Sequence, residues 1–475
     1  QRARRCSGGG WEKRGMAEYF TKTRNPTPHA KWNPATKPYA AHLARCLDAM
    51  KRGAFYECLL QCAALEETHG PTPWTQILAM LIKKDRLGMR DEALADAKLM
   101  TENYPGWVDA QYNYGAFLQE LGRWDDALWH LRKALQIDEE HVPSMVQLGI
   151  CYTAQGNHDA AWRVWDEALR YQPLSVRDEY HLGPIFAARG NMAQFMRLQE
   201  LRWEAQEHYT HDHGLPPHIL NTAEIWQGED LQGHSILVMD EQGAGDTIQF
   251  ARYLTPLCDL ADSVWLRLKQ PSLRTLIEAI EPRVNVVMVG EPLPLVTRVV
   301  GLMSLFHRLA MVRRHEPAFP QNYVPREKRD KSRLTIGICW AGATSHPRDA
   351  QRSMTWEDVQ PLLDAFPDVQ WVDFTIGRSR PDHPRVSAIR PADYLDSCGL
   401  LNSVSALVTV DTSVAHLAGA MGIPTHVLVT TLPDMRWGVQ GDTTPWYESW
   451  TLVRQEQPND WSPCVQRVIA QLREG

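Results

Sequence analysis

The segment VDAQYNYGAFLQELGRWDDALWHLRKALQIDEEH (108–141) runs directly into VPSMVQLGICYTAQGNHDAAWRVWDEALRYQPLS (142–175), and each is 34 residues long. Gly115 falls in register with Gly149, Gly122 with Gly156, Ala127 with Ala161 and Ala134 with Ala168. Small residues at such a fixed period mark where two antiparallel helices approach closely. The large ones (Leu118, Leu131, Tyr152, Trp165) fill the space between. A single unit of this size cannot bury its own apolar face, so the repeat forces a stack of helical hairpins. One period earlier, 74–107 carries Gly88, Ala93 and Pro105 in phase; one period later, 176–209 carries Gly183 and Gly190. A weaker unit near 39–73 holds Gly53 and Cys58 in equivalent places, which gives about five repeats over 39–211.

The period and the small/large alternation resemble the tetratricopeptide repeat. An array of this kind forms an α-solenoid whose concave face grips a peptide or another protein. Two uses follow: recruiting a protein or glycan acceptor, or serving as a scaffold that self-associates into a homo-oligomer.

Composition narrows the rest. The chain of 475 residues exceeds one core and implies two or three domains. Its net charge of −7 argues against a general polyanion binder. Residues 1–52 are the exception, with twelve Lys or Arg against Glu12, Glu18 and Asp48, a balance of +9. Residues 1–38 are expected to form a basic, flexible tail, with a nucleic-acid or acidic-partner contact as the alternative. The nine Cys are scattered. Cys58 and Cys62 stand one helical turn apart, but no second pair or His cluster completes a metal site, so buried free thiols in a reducing compartment are expected. No apolar run approaches a membrane span of about 20 residues. The expectation is a soluble cytoplasmic protein.

After HDHGLPPH, from about residue 212, the period changes. SILVMD (235–240), SVWLRL (263–268) and VNVVMV (284–289) read as buried parallel strands, with helices near 246–260 and 271–280 between them. A second set follows the charged linker PREKRDKSR (325–333): LTIGICW (334–340), VQWVDF (369–374), ALVTV (406–410) and THVLV (425–429). This predicts two Rossmann-like α/β halves, 212–330 and 331–475, that share a ligand cleft at the carboxyl ends of their strands.

Three stretches are candidates for chemistry. In VTVDTSVAHLAGAMGIP (408–424) a strand ends at Asp411, and Thr412 and Ser413 open a helix whose amides and dipole suit an anion. His416 lies one turn in, while Ala415, Ala418, Gly419 and Ala420 keep the helix thin; a plain capped helix with a buried His is the alternative. In CWAGATSHPRDAQRSMTWEDV (339–359), Trp340 and Gly342 precede a loop with Arg348 and Arg352, then a helix capped near Ser353 or Thr355. One or both arginines would neutralise a diphosphate leaving group, unless they are simply solvated. In MDEQGAGDTIQFARYL (239–254), Ile248 replaces the third glycine of a dinucleotide fingerprint and there is no P-loop Lys. Gln242, Gly243, Gly245 and Gln249 would shape an acceptor loop there. Asp246 suits a general base acting on a hydroxyl, with helix N-capping as its structural alternative.

Taken in order, EQGAGDTIQFARYL, GICWAG…RS and VDTSVAHLAGAMGIP resemble glycosyltransferase family 9, the heptosyltransferase-like group with a GT-B fold, over about residues 220–475. They are more closely similar to bacterial proteins that fuse tetratricopeptide repeats to such a transferase. GLMSLFHRL (301–309) and TPWY (444–447) are weaker shared stretches. The resemblance implies an α + α/β protein in which a repeat solenoid precedes the GT-B pair. It implies inverting, metal-independent transfer from a nucleotide-diphosphate sugar, the co-substrate, with no other cofactor. Asp246 would then be the base and Arg352 the phosphate clamp, with Arg in place of the family's usual Lys. Asp411, Thr412 and His416 would bind the diphosphate, together with Ser413. The N-terminal half is short for the family. The repeats are also similar to those of protein O-GlcNAc transferases, whose donor-site motifs are absent here.

Trp340, Arg436, Trp437, Trp446 and Tyr447 would line the sugar or base pocket or else fill core. The final helix, near 462–473, is expected by analogy to pack back across the seam between the halves. The reading is a glycosyltransferase whose repeats recruit the acceptor. Its rivals are a repeat scaffold with an inactive transferase domain, and a transferase acting on modified nucleic acid.

Overall fold

The computed structural model describes residues 45–46, 48–49, 54–70, 72–171, 176–202, 219, 222–313, 319–326, 334–344, 346 and 348–474. The basic tail at 1–38, the HDHGLPPH linker, most of PREKRDKSR and most of the first repeat's leading helix lie outside them. The described residues fall into two compact units, one built from helices and one from α/β layers with a helical hairpin attached.

In the helical unit the hairpins follow the sequence period: Pro73–Asp85 with Arg90–Asn103, Val108–Glu120 with Trp124–Ile137, and Val142–Ala154 leading to His158–Ala168. The turns between these helices contain Gly88 and Gly122, at φ 68° and 74°, where a side chain is strained. Helix contacts depend on the small residues. A Cβ at Gly149 would lie 2.1 Å from Trp165 Nε1, and one at Gly115 would lie 2.9 Å from Leu131 Cγ. Trp165 is buried, and its Nε1 donates to the Val146 carbonyl at 3.1 Å, so it has no room to retreat.

The second unit holds two parallel sheets. The first contains β1 (Glu224–Ile225), β2 (Ser235–Met239), β3 (Ser263–Leu268), β4 (Val284–Met288) and β5 (Arg298–Gly301), in the order β1-β5-β2-β3-β4. The second contains β6 (Thr335–Cys339), β7 (Gln370–Asp373), β8 (Val386–Ala388), β9 (Ala406–Val410), β10 (Thr425–Val429) and β11 (Trp450–Arg454), in the order β11-β10-β9-β6-β7-β8. β9 is buried along its whole length, as a central parallel strand should be. β4, expected to be buried, is an edge strand with Asn285 exposed. The short strands β1, β5 and β8 carry too few apolar residues to announce themselves.

Strand order reverses between β2 and β5 in the first sheet and between β6 and β9 in the second. Crevices for ligands open at the carboxyl ends of strands where the order reverses. The loops after β2, β6 and β9 are the three stretches singled out for chemistry, so the topology puts all three at such points.

Two expectations change. The final helix, Ser462–Glu474, does not cross the seam. Its Cys464, Val465, Val468 and Ile469 pack with Val359, Leu362 and Leu363 of the helix Trp356–Ala365, on one face of the second sheet. The hairpin Gly183–Ala188 and Met192–Gln199, counted with the repeats by sequence, belongs to the α/β unit. Its Ala187, Met192, Phe195 and Met196 join that unit's core, and Glu200 pairs with Arg308 at 2.9 Å. No described helix is long and apolar enough to cross a membrane.

Gly149→Ala should destabilise the protein by about 1–3 kcal/mol, the cost of overpacking a filled contact. Gly399→Ala, in the helix Tyr394–Leu401 with nothing within 4 Å of its Cβ position, should be neutral or stabilising by up to about 1 kcal/mol. The urea unfolding midpoint of Gly149→Ala should therefore fall, while that of Gly399→Ala stays or rises.

Candidate active site

The helix Ala244–Ala251 follows β2 through Gly243, and it packs against the helix Ser413–Ala420 that follows β9. The approach is close because position 245 has no side chain: a Cβ there would lie 2.8 Å from His416 Cδ2. Asp246 sits in the first turn, and both its oxygens are engaged. Oδ2 accepts from the Gly243 amide at 2.9 Å, and Oδ1 pairs with Arg436 Nη1 at 2.6 Å. The sequence offered N-capping and catalysis as alternatives for this carboxylate. The capping bond is present, and so is a partner that the sequence did not announce.

Arg436 lies on the 3₁₀ turn Met435–Trp437 and is 8% exposed. Its Nη1 also donates to Gln249 Oε1 at 2.6 Å. Asp434, two residues earlier, accepts from its Nε at 2.8 Å and from Nη2 at 3.0 Å. Burial opposes both charges, but the guanidinium holds the Asp434 carboxyl well below the usual range, and Asp434 and Asp246 hold Arg436 charged. Next door, Trp437 Nε1 donates to Asp411 Oδ2 at 2.8 Å. Burial pushes the Asp411 carboxyl above its ordinary range, and the Asp434 charge adds to the shift.

The pocket beside this cluster is lined by His346, Arg348, Gln351, Arg352, Asp411, Thr430, Leu432, Pro433 and Asp434 among others, and holds about 450 Å³ including its open mouth. The Arg352 guanidinium lies over Gly342, where a Cβ would be 2.6 Å from Nη2. Its Nε is buried with no hydrogen-bond partner among the described residues. Arg348 Nη1 donates to the Leu432 carbonyl at 3.2 Å. Gly342 is held in turn by its amide, which donates to Ser353 Oγ at 3.0 Å. Burial, then the Arg352 and Arg348 charges, pushes His346 down to about 4, so it stays neutral at pH 7.

Sequence and structure part at several residues. His416, read as facing the ligand, is buried; its Nδ1 shares a hydrogen bond with the Tyr447 hydroxyl at 3.1 Å, and burial drives its pKa well below the usual value. Ser413 Oγ accepts from the Tyr394 hydroxyl at 2.9 Å, and Thr412 makes no side-chain cap to the helix it opens. Neither lines the pocket. Trp446 is not a pocket residue: it is fully buried among Phe250, Phe306 and Phe319. Trp340 is core too, set edge-on to Trp356. Gln242 is exposed on the loop, whereas Gln249 is buried under Arg436. The sequence reading missed His346, Thr430 and Asp434. Asp434 had a local signal, because an Asp after Pro433 is a preferred cap for the turn that follows. Thr430 and His346 had none. The reading that nothing completes a metal set around Cys58 and Cys62 also changes, because Cys46 meets both.

Residues 105–212 match the family model described as the cilia and flagella-associated protein 70 middle TPR-like domain, so this part of the chain is TPR-like. Protein FlbA of Caulobacter vibrioides is 24% identical over 441 residues, which span 78% of this chain and 73% of FlbA. Among solved structures, a mutant O-GlcNAc transferase of Thermobaculum terrenum is similar with a TM-score of 0.36 and 14% identity, covering 93% of each chain. A thermophilic TPR protein of Thermus thermophilus is similar with a TM-score of 0.29 and 16% identity, covering 35% of this chain and 90% of its own.

Two outcomes test the placement of these residues. Trp446→Ala should cost about 3–5 kcal/mol in stability, measured by chemical unfolding, as removal of a packed Trp does. The folded-state pKa values of His346 and His416 lie below the unfolded value near 6.5. Each therefore stabilises the fold fully above that value and loses its contribution as the pH falls toward the folded pKa. The urea midpoint should decline steadily from pH 6.5 to pH 4, and His346→Gln should flatten part of that decline.

Proposed function

We propose that this chain is a glycosyltransferase that moves a sugar from a nucleoside-diphosphate donor to an acceptor hydroxyl, with inversion and without a metal. One observation carries the reading: Arg348 and Arg352 line one pocket at the strand-order reversal of the second sheet, and Arg352 Nε is buried with no acceptor among the described residues. A buried donor left unpaired costs about 1–3 kcal/mol, and a phosphate oxygen supplies what it lacks. Both acids in the pocket wall are already bonded, Asp411 to Trp437 and Asp434 to Arg436.

In the proposed reaction the acceptor oxygen attacks the anomeric carbon as its proton passes to Asp246. The bond from that carbon to the diphosphate oxygen breaks, and the diphosphate leaves with the electron pair. Arg348 and Arg352 stabilise the charge that develops on it, the role a divalent cation plays in other phosphate chemistry. Asp246 starts paired with Arg436, which occupies one of its two oxygens. When Arg436 moves toward the donor phosphates, keeping Asp434, it frees the carboxylate. Base and leaving-group clamp are thereby coupled through a single guanidinium. The TPR-like region would recruit a protein or glycan acceptor, and the protein would work in the cytoplasm.

The same ion pair favours a second reading, a transferase domain that no longer turns over and serves a repeat scaffold. Calorimetry and product analysis separate the two. Asp246→Asn should retain binding of nucleoside diphosphates while turnover falls by about 10²–10⁴, the usual worth of a general base. Arg352→Ala should weaken that binding by about 10–100-fold, in line with a lost charge-assisted hydrogen bond of roughly 1.5–3 kcal/mol. Equal turnover by Asp246→Asn and the parent chain would remove the base assignment. Absence of binding to every nucleoside diphosphate would leave the scaffold reading.

A further inference from the structure

The repeats use three positions in register. In 108–141, Ala127 and Leu131 stand twelve and sixteen residues after Gly115; in 142–175, Ala161 and Trp165 stand at the same distances from Gly149. At these places glycine makes room for the bulky residue, and alanine packs beside it. In the first repeat, counting from Cys46, the same distances reach Cys58 and Cys62. Glycine, alanine and the large residue have all become cysteine.

The helix pairing that brings glycine to leucine elsewhere therefore brings three thiols together. Their sulfur atoms all lie within 4.8 Å of one another, and Cys46 Sγ is 3.8 Å from Cys62 Sγ. Each residue is at most 2% exposed, walled by Ala49 and Ile82, with Phe55 and Leu78 alongside. A metal bound at about 2.3 Å by thiolates sets their sulfurs roughly 3.8–4.0 Å apart, so the spacing suits coordination. It is far too long for a disulfide, whose sulfurs lie about 2.05 Å apart. The all-sulfur donor set selects soft ions over the hard cations that take oxygen.

We propose that Cys46, Cys58 and Cys62 bind one thiophilic d¹⁰ cation, Zn²⁺ or Cu⁺, which staples the first repeat's two helices. Each coordinating thiol gives its proton to solvent as its sulfur binds, so uptake releases one proton per ligand and changes no oxidation state.

The test uses the full chain, reduced and handled without oxygen, titrated separately with Zn²⁺ and with Cu⁺ against a competing chelator, with native mass spectrometry to count bound ions. One ion per chain is expected, with a higher melting temperature when it is bound. Binding of one ion in either arm supports the site. Cys58→Ala and Cys46→Gly copy residues that sister repeats use at those positions, so both should keep the parent's circular dichroism. Both should lose affinity by more than about 100-fold, beyond the 10–100-fold of changes outside the ligand shell. Cys151→Ala, a buried thiol elsewhere in the repeats, should bind as the parent does. No bound ion in the parent, affinity unchanged in folded Cys58→Ala and Cys46→Gly, or a Cys46–Cys62 disulfide formed instead of metal uptake would overturn the proposal.

Discussion

The guanidinium of Arg436 is the joint on which the α/β unit turns. A buried positive charge survives only where acceptors surround it, and removing one partner of such a pair leaves a charge uncompensated in low dielectric. Arg436 meets this demand from both halves at once: Asp434 belongs to its own turn, while Asp246 and Gln249 come from the helix after β2. Gly245 seats closely against His416 at the same boundary between the halves.

The layout also explains why a carboxylate stands where a phosphate cradle was suspected. In the first half the reversal of strand order opens onto a helix start already occupied by Asp246, a negative group satisfied by an amide and an arginine. In the second half the equivalent crevice carries two arginines and acids that are tied elsewhere. Two similar folds thus present opposite electrostatic faces, and the difference lies in a handful of loop side chains rather than in the sheets.

What the sequence revealed was whatever is local or periodic. The 34-residue repeat, the strands β2, β3, β9 and β10, and the Thr355 cap, whose side chain accepts from the Asp358 amide, are written in runs of neighbouring residues. What it hid was long-range. Asp246 and Arg436 are 190 residues apart, and no pattern around either names the other. Trp446 reads equally well as pocket or core because its composition is the same in both; only the three phenylalanine rings around it decide. Cys46 is invisible as a third thiol until the repeat register is used to ask what faces Cys62.

The hairpin Gly183–Ala188 and Met192–Gln199 changes how this chain can be dissected. By sequence it closes the repeat array, and a cut after residue 211 looks natural. Physically it is a wall of the α/β core, contributing Ala187, Met192, Phe195 and Met196 and resting on the turn that carries Arg436. A fragment that begins at 212 would expose that apolar face and leave the turn unsupported. The border between the repeats and the α/β layers therefore lies before Leu182, inside what the repeat period marks as a single unit.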